Sequence, residues 1–299
     1  MNKKLSLVIF TLLLLTTCQT PSWAGQVLEK IRQTGVINAG TRKDAIPFGY
    51  VNEQGKWVGY SVDILEIIRQ DLEKKLGKPI KLNLLEVTAQ NRFDKIKDGT
   101  IDIECASTTF TWERNETVDF TVSYFASGTK VLVAKGSGIG AIETLAGRKV
   151  GVIPKTTNEQ AIKIQQPAAQ LVMVKDRNDG LKKLESGIID AFASDGIVLE
   201  GLKKESSNPN ILEVVPEFPY VYESYACMVP QNNSAWRNSV NYSLIKFMEG
   251  IVSDQPQPVA IYEKWFGEDT GITPYSRDNI NDYFQGIVNS YEWIPLIGN

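Results

Sequence analysis

Arg92-Phe93-Asp94-Lys95-Ile96-Lys97-Asp98-Gly99-Thr100-Ile101-Asp102-Ile103 is the stretch that decides the fold. It sets apolar residues at Phe93 and Ile96, then Gly99, then Ile101-Asp102. Leu181, Leu184, Gly187 and Ile189-Asp190 repeat those spacings. Each block reads as the last turns of a helix, a glycine C-cap and a short buried strand. A matching piece lies upstream of each block: residues 35–40 and 148–153 both read as short apolar strands. Two α/β units of similar design therefore follow one another.

Working outward, Val62, Leu65, Ile68, Leu72 and Leu76 recur at helical steps until Gly77 ends the run. Residues 82–87 form the next strand. In the second unit, residues 158–165 read as a helix opened by Thr156 or Thr157. Thr156 with Glu159 has the spacing of a capping box. Residues 171–174 follow as a strand. Strands alternating with helices predict mainly parallel sheets. Past Asp195 the chain runs through Pro216 and Pro219 to an apolar strand at 225–229 and a helix at 235–251. An aromatic-rich tail follows. This remainder is too short for a third domain and should complete one of the two units.

Composition removes several function classes. The 299 residues carry a net charge of −3, so no basic field is present to hold nucleic acid. Histidine is absent, which excludes Ser-His-Asp and Cys-His catalysis. With three cysteines and no histidine, a zinc site is not expected, and no cofactor is implied.

The N-terminus reads as a secretory signal. Lys3 and Lys4 precede an apolar run at 5–15, and Ser22-Trp23-Ala24 offers small residues for cleavage after Ala24. A rival reading takes Leu15-Thr16-Thr17-Cys18 as a lipoprotein box that leaves Cys18 lipidated. The run is short for a membrane span. Removing residues 1–24 leaves Cys105 and Cys227. An even pair in an exported protein suits a disulfide, and two separate buried thiols suit the sequence as well.

In open α/β sheets, ligands bind beyond the carboxyl ends of the strands. Those positions hold Thr41 and Arg42, then residues 88–92 ending in Arg92, then Ser107, Thr108 and Thr109, with Arg114 a little later. In the second unit they hold Lys155, Thr156 and Thr157, then Lys175, Asp176 and Arg177, then Ser194 and Asp195. By the repeat, Asp195 is the counterpart of Ser107. Arginine forks grip carboxylates with two parallel hydrogen bonds. Hydroxyls bond either end of an amino acid, and one carboxylate suits an ammonium. The set matches an α-amino acid carrying a second carboxylate. The bland alternatives are surface arginines at 42, 92 and 177, and helix caps at Ser107, Thr109, Thr156, Thr157 and Asp195.

Further residues carry a family likeness. Val58-Gly59-Tyr60-Ser61-Val62-Asp63-Ile64 resembles the signature of the family 3 periplasmic solute-binding proteins, with Ser61 where many members have an acid. Ser107-Thr108-Thr109, Trp112-Glu113-Arg114 and Val118-Asp119-Phe120-Thr121 resemble the family's ligand loop. Glu263-Lys264-Trp265-Phe266 resembles its terminal helix motif. The likeness covers essentially all of residues 26–270. The branch it is most similar to is the glutamate/aspartate-binding proteins, through Gln90-Asn91-Arg92 and Glu104-Cys105-Ala106-Ser107-Thr108-Thr109.

The resemblance implies a type II periplasmic binding protein fold of two α/β lobes. Each lobe would be a mainly parallel sheet flanked by helices, and a two-strand hinge would join them. Lobe 1 would comprise 26–126 and 226–299, and lobe 2 127–225, with crossings near 123–130 and 222–227. Arg114 would bind the ligand α-carboxylate, helped by Thr109 and by Thr157 or Thr156. Asp195 and Ser107 would bind the α-ammonium, and Arg42 and Arg92 the side-chain carboxylate. In relatives that carry lysine or arginine the Arg42 position is acidic, so the charge here is reversed to suit an acidic ligand. Ala89 and Arg177 stand where the branch has serine and a ligand-contacting histidine. Arg177 would add a third cation near the distal carboxylate. The family topology places Cys227 beside Cys105, which implies a disulfide between them. The expected protein is a periplasmic monomer that captures glutamate or aspartate and delivers it to the membrane permease of an ABC transporter. The alternatives are a binder of glutamine, asparagine or a broader polar set, and an enzyme on the same fold such as a cyclohexadienyl dehydratase.

Overall fold

The computed structural model describes residues 26–269, 273 and 275–292. The expected signal segment, its cleavage site and Cys18 lie outside the described residues. The first unit runs α1 (Gln26–Thr34), β1 (Val36–Thr41), β2 (Asp44–Ala45), β3 (Gly49–Val51), β4 (Trp57–Val58), α2 (Tyr60–Leu76), β5 (Lys81–Glu86), α3 (Arg92–Lys97), β6 (Ile103–Glu104) and α4 (Trp112–Asn115). A long strand β7 (Asp119–Ala134) leads to the second unit: β8 (Lys149–Val152), α5 (Thr157–Gln165), β9 (Gln170–Met173), α6 (Arg177–Glu185), β10 (Ala191–Asp195), α7 (Gly196–Lys204) and β11 (Leu212–Val215). Then β12 (Val221–Val229) returns to α8 (Ser234–Val252), α9 (Pro256–Phe266) and α10 (Arg277–Glu292).

The main sheet has the order β5-β1-β6-β12-β7-β10-β8-β9, with β11 also on β7. Strands β5, β1 and β6 are mutually parallel, and so are β9, β8 and β10. Between these parallel trios lie β7 and β12, antiparallel to each other and to their neighbours. β7 serves both sides: Asp119 and Phe120 pair with Val229 and Met228, while Thr129 to Val133 pair with β10. The β7–β12 ladder slips register on either side of Ala226.

The internal repeat has a physical basis. Asp102 and Asp190 each bond back to the first strand of their unit. Asn38 N–H donates to Asp102 Oδ2 at 2.9 Å, and Lys149 N–H donates to Asp190 Oδ2 at 2.7 Å. Gly99 and Gly187 turn the chain with φ of 76° and 71°. The isoleucines then cover a glycine in that first strand. A Cβ on Gly40 would lie 2.7 Å from Ile101 Cδ1, and one on Gly151 2.5 Å from Ile189 Cδ1.

The signature and terminal motifs touch. Gly59 has φ 142°, and a Cβ there would sit 2.1 Å from the Phe48 carbonyl oxygen. This close approach lets Tyr60 and Ser61 N–H, at the start of α2, donate to the Pro47 and Phe48 carbonyls. Asp63 Oδ2 accepts from Trp265 Nε1 at 2.7 Å and Lys264 Nζ at 2.8 Å. Ser61, buried, shares a 2.7 Å hydrogen bond with the Tyr124 hydroxyl, which an acid would have to replace. The surrounding core joins α2, α8 and α9 through Tyr60, Phe125, Phe247 and Phe266, and Ile280, Phe284 and Val288 of α10 pack on it. A separate core holds Val131, Val133, Val150, Val152 and Ile162 of the second unit. Cys105 and Cys227 are disulfide-bonded, with Cα atoms 4.5 Å apart, tying β12 to the loop after β6.

Candidate functional site

Both parallel trios point their carboxyl ends at the same region, and the repeat therefore delivers its loops there in pairs. Arg42, Arg92, Ser107, Thr109, Arg177 and Asp195 are all at least nine-tenths buried in it. The surface alternative for the three arginines fails on that burial.

Arg42, just past β1, holds Asp44 with two bonds, Nε to Oδ1 and Nη2 to Oδ2, each 2.9 Å. Arg177, the first residue of α6, reaches the same carboxylate from the other unit. Its backbone N–H donates to Asp44 Oδ2 at 3.2 Å, and its Nη1 to Oδ1 at 3.4 Å. Arg177 Nη2 donates to Ser107 Oγ at 3.2 Å and lies 3.8 Å from Asp195 Oδ2. Burial works to raise the Asp44 pKa, but the Arg42 and Arg177 guanidiniums overcome it and hold it at about 2.

Arg92 donates from Nη1 to Thr108 Oγ1 at 2.5 Å, and Thr108 donates on to Glu104 Oε1 at 2.9 Å. Burial pulls the Arg92 guanidinium down against the attraction of Glu104, and pushes Glu104 up against that of Arg92. The guanidinium stays charged all the same. The Nε groups of Arg92 and Arg177 are buried with no partner among the described residues. Such donors are costly unless something accepts from them.

A second cluster surrounds Glu223 of β12. Its Oε2 accepts from the hydroxyls of Thr109 and, at 2.6 Å, Thr157. Its Oε1 accepts from Thr129 Oγ1 at 2.7 Å and Asn158 Nδ2 at 3.3 Å. Arg114 stands at the edge, donating to the Thr109 carbonyl at 2.8 Å and the Lys155 carbonyl at 3.5 Å. Phe93 lies under both cations, its ring centroid 5.3 Å from Arg92 Cζ and 5.5 Å from Arg114 Cζ. Asp195, at the end of β10, takes the N-cap position of α7, yet its side chain makes no capping bond. Burial and then Glu223 raise its pKa to about 7, against the pull of Arg177.

Thr156 is placed differently. Its hydroxyl caps α5, accepting from Glu159 N–H at 3.2 Å and donating to the Ile153 carbonyl at 2.7 Å. The expected capping box is only half made, because Glu159 bonds Lys155 N–H rather than Thr156 N–H. The cap of α4 is Thr111, not Ser107 or Thr109. Three site residues escaped sequence reasoning: Asp44, Glu223 and Asn158. Asp44 lies two residues past Arg42, at the start of β2, a signal that was available.

Two parallel trios, two crossing strands and a buried site between them define a two-lobe solute-binding protein of the type II periplasmic fold. Residues 37–268 match the bacterial extracellular solute-binding proteins, family 3, and the chain belongs to that family. It is 35% identical over 267 residues to the glutamate/aspartate import solute-binding protein of Salmonella typhimurium, spanning 88% of this chain and 85% of that one. It is 31% identical over 271 residues to the ABC transporter glutamine-binding protein GlnH of Bacillus subtilis, spanning 87% and 95%. An ancestral arginine-binding protein bound to glutamine has a TM-score of 0.69 at 31% identity, covering 78% of this chain and 99% of that one. No helix among the described residues is long and apolar enough to cross a membrane.

Proposed function

We propose that the chain captures an acidic amino acid, glutamate or aspartate, between its lobes and delivers it to an ABC permease. One observation carries this reading. The site holds two separate groups of donors, and each is already closed around a carboxylate: Arg42 and Arg177 around Asp44, and Thr109, Thr157 and Asn158 around Glu223. An amino-dicarboxylic acid presents two carboxylates to two such grips. The ligand's α-carboxylate takes the Thr109, Thr157 and Arg114 end. Its side-chain carboxylate takes the Arg42, Arg92 and Arg177 end. Asp195 and Ser107 receive the ammonium.

Residues 26–126 and 226–299 act as lobe 1 and 127–225 as lobe 2, hinged where β7 and β12 cross. The register slip beside Ala226 supports a bend there. Closure follows from contacts to both lobes that only the shut form can make. The mature protein works as a monomer in the periplasm, exported by residues 1–24. Its role is binding rather than catalysis: Arg114 and Asp195 grip the two ends of an unreacted amino acid. The likeness to a glutamine-binding relative keeps glutamine as the second reading.

Thermal melting of the stripped protein against all twenty amino acids tests the proposal. Saturation at 1,000 times Kd stabilises a protein by about 4 kcal/mol, a readily measured shift. Glutamate or aspartate should raise the melting temperature, and Arg42→Ala or Arg92→Ala should abolish the rise. A rise with neutral or basic amino acids alone overturns the acidic reading.

A further inference from the structure

We propose that Asp44 is an internal stand-in for the ligand's side-chain carboxylate and sets how strongly the cleft prefers acids over amides. This inference rests on the functional reading above. Three observations support it. Asp44 takes both forward donors of Arg42, Nε and Nη2, in the paired geometry that guanidinium reserves for carboxylates. It reaches across the cleft to the backbone and side chain of Arg177 in the other lobe. It opens strand β2 with its side chain 10% exposed, so its charge is felt at short range in a low-dielectric site.

The consequences follow from charge. Arg42 and Arg177 supply two positive charges and Asp44 removes one. An acidic side chain arriving at this pair must displace Asp44 or sit beside it, and either costs affinity. A neutral amide meets the same occupied donors but no charge repulsion from Asp44. Asp44 therefore narrows the gap between glutamate and glutamine that the arginines alone would create. It also ties the first unit to the second through its contacts with the Arg177 backbone and side chain.

Two measurements on the full mature chain test this. Calorimetric titration of wild type and Asp44→Asn with glutamate and with glutamine gives the ratio of the two Kd values. Asparagine keeps the shape and one acceptor but removes the charge. The ratio should shift toward glutamate by on the order of tenfold in Asp44→Asn. Asp44→Ser, smaller and also uncharged, should shift it the same way, which guards against a folding artefact of either variant. In the absence of ligand, small-angle X-ray scattering should show both variants more open than wild type. A ratio unchanged or shifted toward glutamine, in a wild type that binds glutamate, overturns this inference alone and makes Asp44 a positioning residue for the arginines. A wild type that binds neither acidic amino acid overturns the functional reading itself.

Discussion

Glu223 Oε2 accepts the Thr157 hydroxyl at 2.6 Å, joining the crossing strand β12 to the N-terminus of α5, 66 residues earlier. The same oxygen takes the Thr109 hydroxyl from the segment after β6. Glu223 thus fastens three segments while lying in one of the two strands that cross between the two units. Glu223→Gln leaves an amide nitrogen facing hydroxyl donors. We expect a loss of about 1–3 kcal/mol in urea denaturation of the ligand-free protein. Thr129→Ala, which removes one donor from the opposite oxygen, should lose about 1 kcal/mol.

If Asp195 receives the ligand ammonium as proposed, capture depends on pH. Its carboxyl has a pKa raised to about 7 by burial and Glu223. An ammonium ligand needs the charged form, so binding expels a proton wherever Asp195 is protonated. Affinity should therefore rise between pH 6 and 8, approaching tenfold per pH unit below 7. The sign for stability is opposite. A raised folded pKa gives a contribution fully present below the unfolded value of 3.8 and lost as pH rises through about 7. Titration of affinity and of unfolding free energy across this window checks both slopes, and Glu223→Gln should move both to lower pH.

Asp44 behaves in the opposite sense. Its folded pKa, held at about 2 against an ordinary value of 3.8, adds stability above 3.8 that disappears as pH falls through 2. The contribution is about 2 kcal/mol. Acid unfolding should begin at higher pH in Arg177→Gln, which removes one of the two cations that hold Asp44 ionised.

The Cys105–Cys227 bond closes a loop with a sequence separation of 122 residues and spans everything between β6 and β12. Both cysteines are fully buried, so reduction should require unfolding. Replacing both with serine should cost about 2–5 kcal/mol in denaturant unfolding. Native protein should resist mild reductant that reduces the unfolded chain at once.

Gly59 offers a test of the signature. An alanine there would need φ near 142° and would drive Cβ into the Phe48 carbonyl. We expect Gly59→Ala to destabilise by roughly 2–5 kcal/mol in thermal or chemical unfolding.

Much of this architecture was legible because it rests on local rules. The Phe93–Asp102 and Leu181–Asp190 blocks announce two equivalent units, since each needs a helix end, a left-handed glycine and an isoleucine over a glycine strand. The parallel trios and the loops bearing Arg42, Arg92, Ser107, Arg177 and Asp195 follow from that repeat. The long crossing strand β7 was not legible as a strand. It is buried on different faces along its 16 residues and changes partners midway, so simple alternation is lost. The β2–β4 sheet escaped because its strands are only two or three residues long. Asp44 and Glu223 were missed for a related reason. Neither lies immediately after a strand of a parallel trio, and only the folded crossing of β12 turns Glu223 toward Thr109 and Thr157. The pairing of Cys105 with Cys227 was indeterminate from the residues, and came from family topology.

The cleft is proposed to take an acidic amino acid. The most direct measurement is calorimetric titration of mature protein, unfolded and refolded to strip bound ligand, with glutamate, aspartate, glutamine and asparagine. Glutamate or aspartate should bind more tightly than its own amide, and Arg42→Ala and Arg92→Ala should lose this binding. Tighter binding of glutamine or asparagine than of either acid, unaffected by those substitutions, would contradict it.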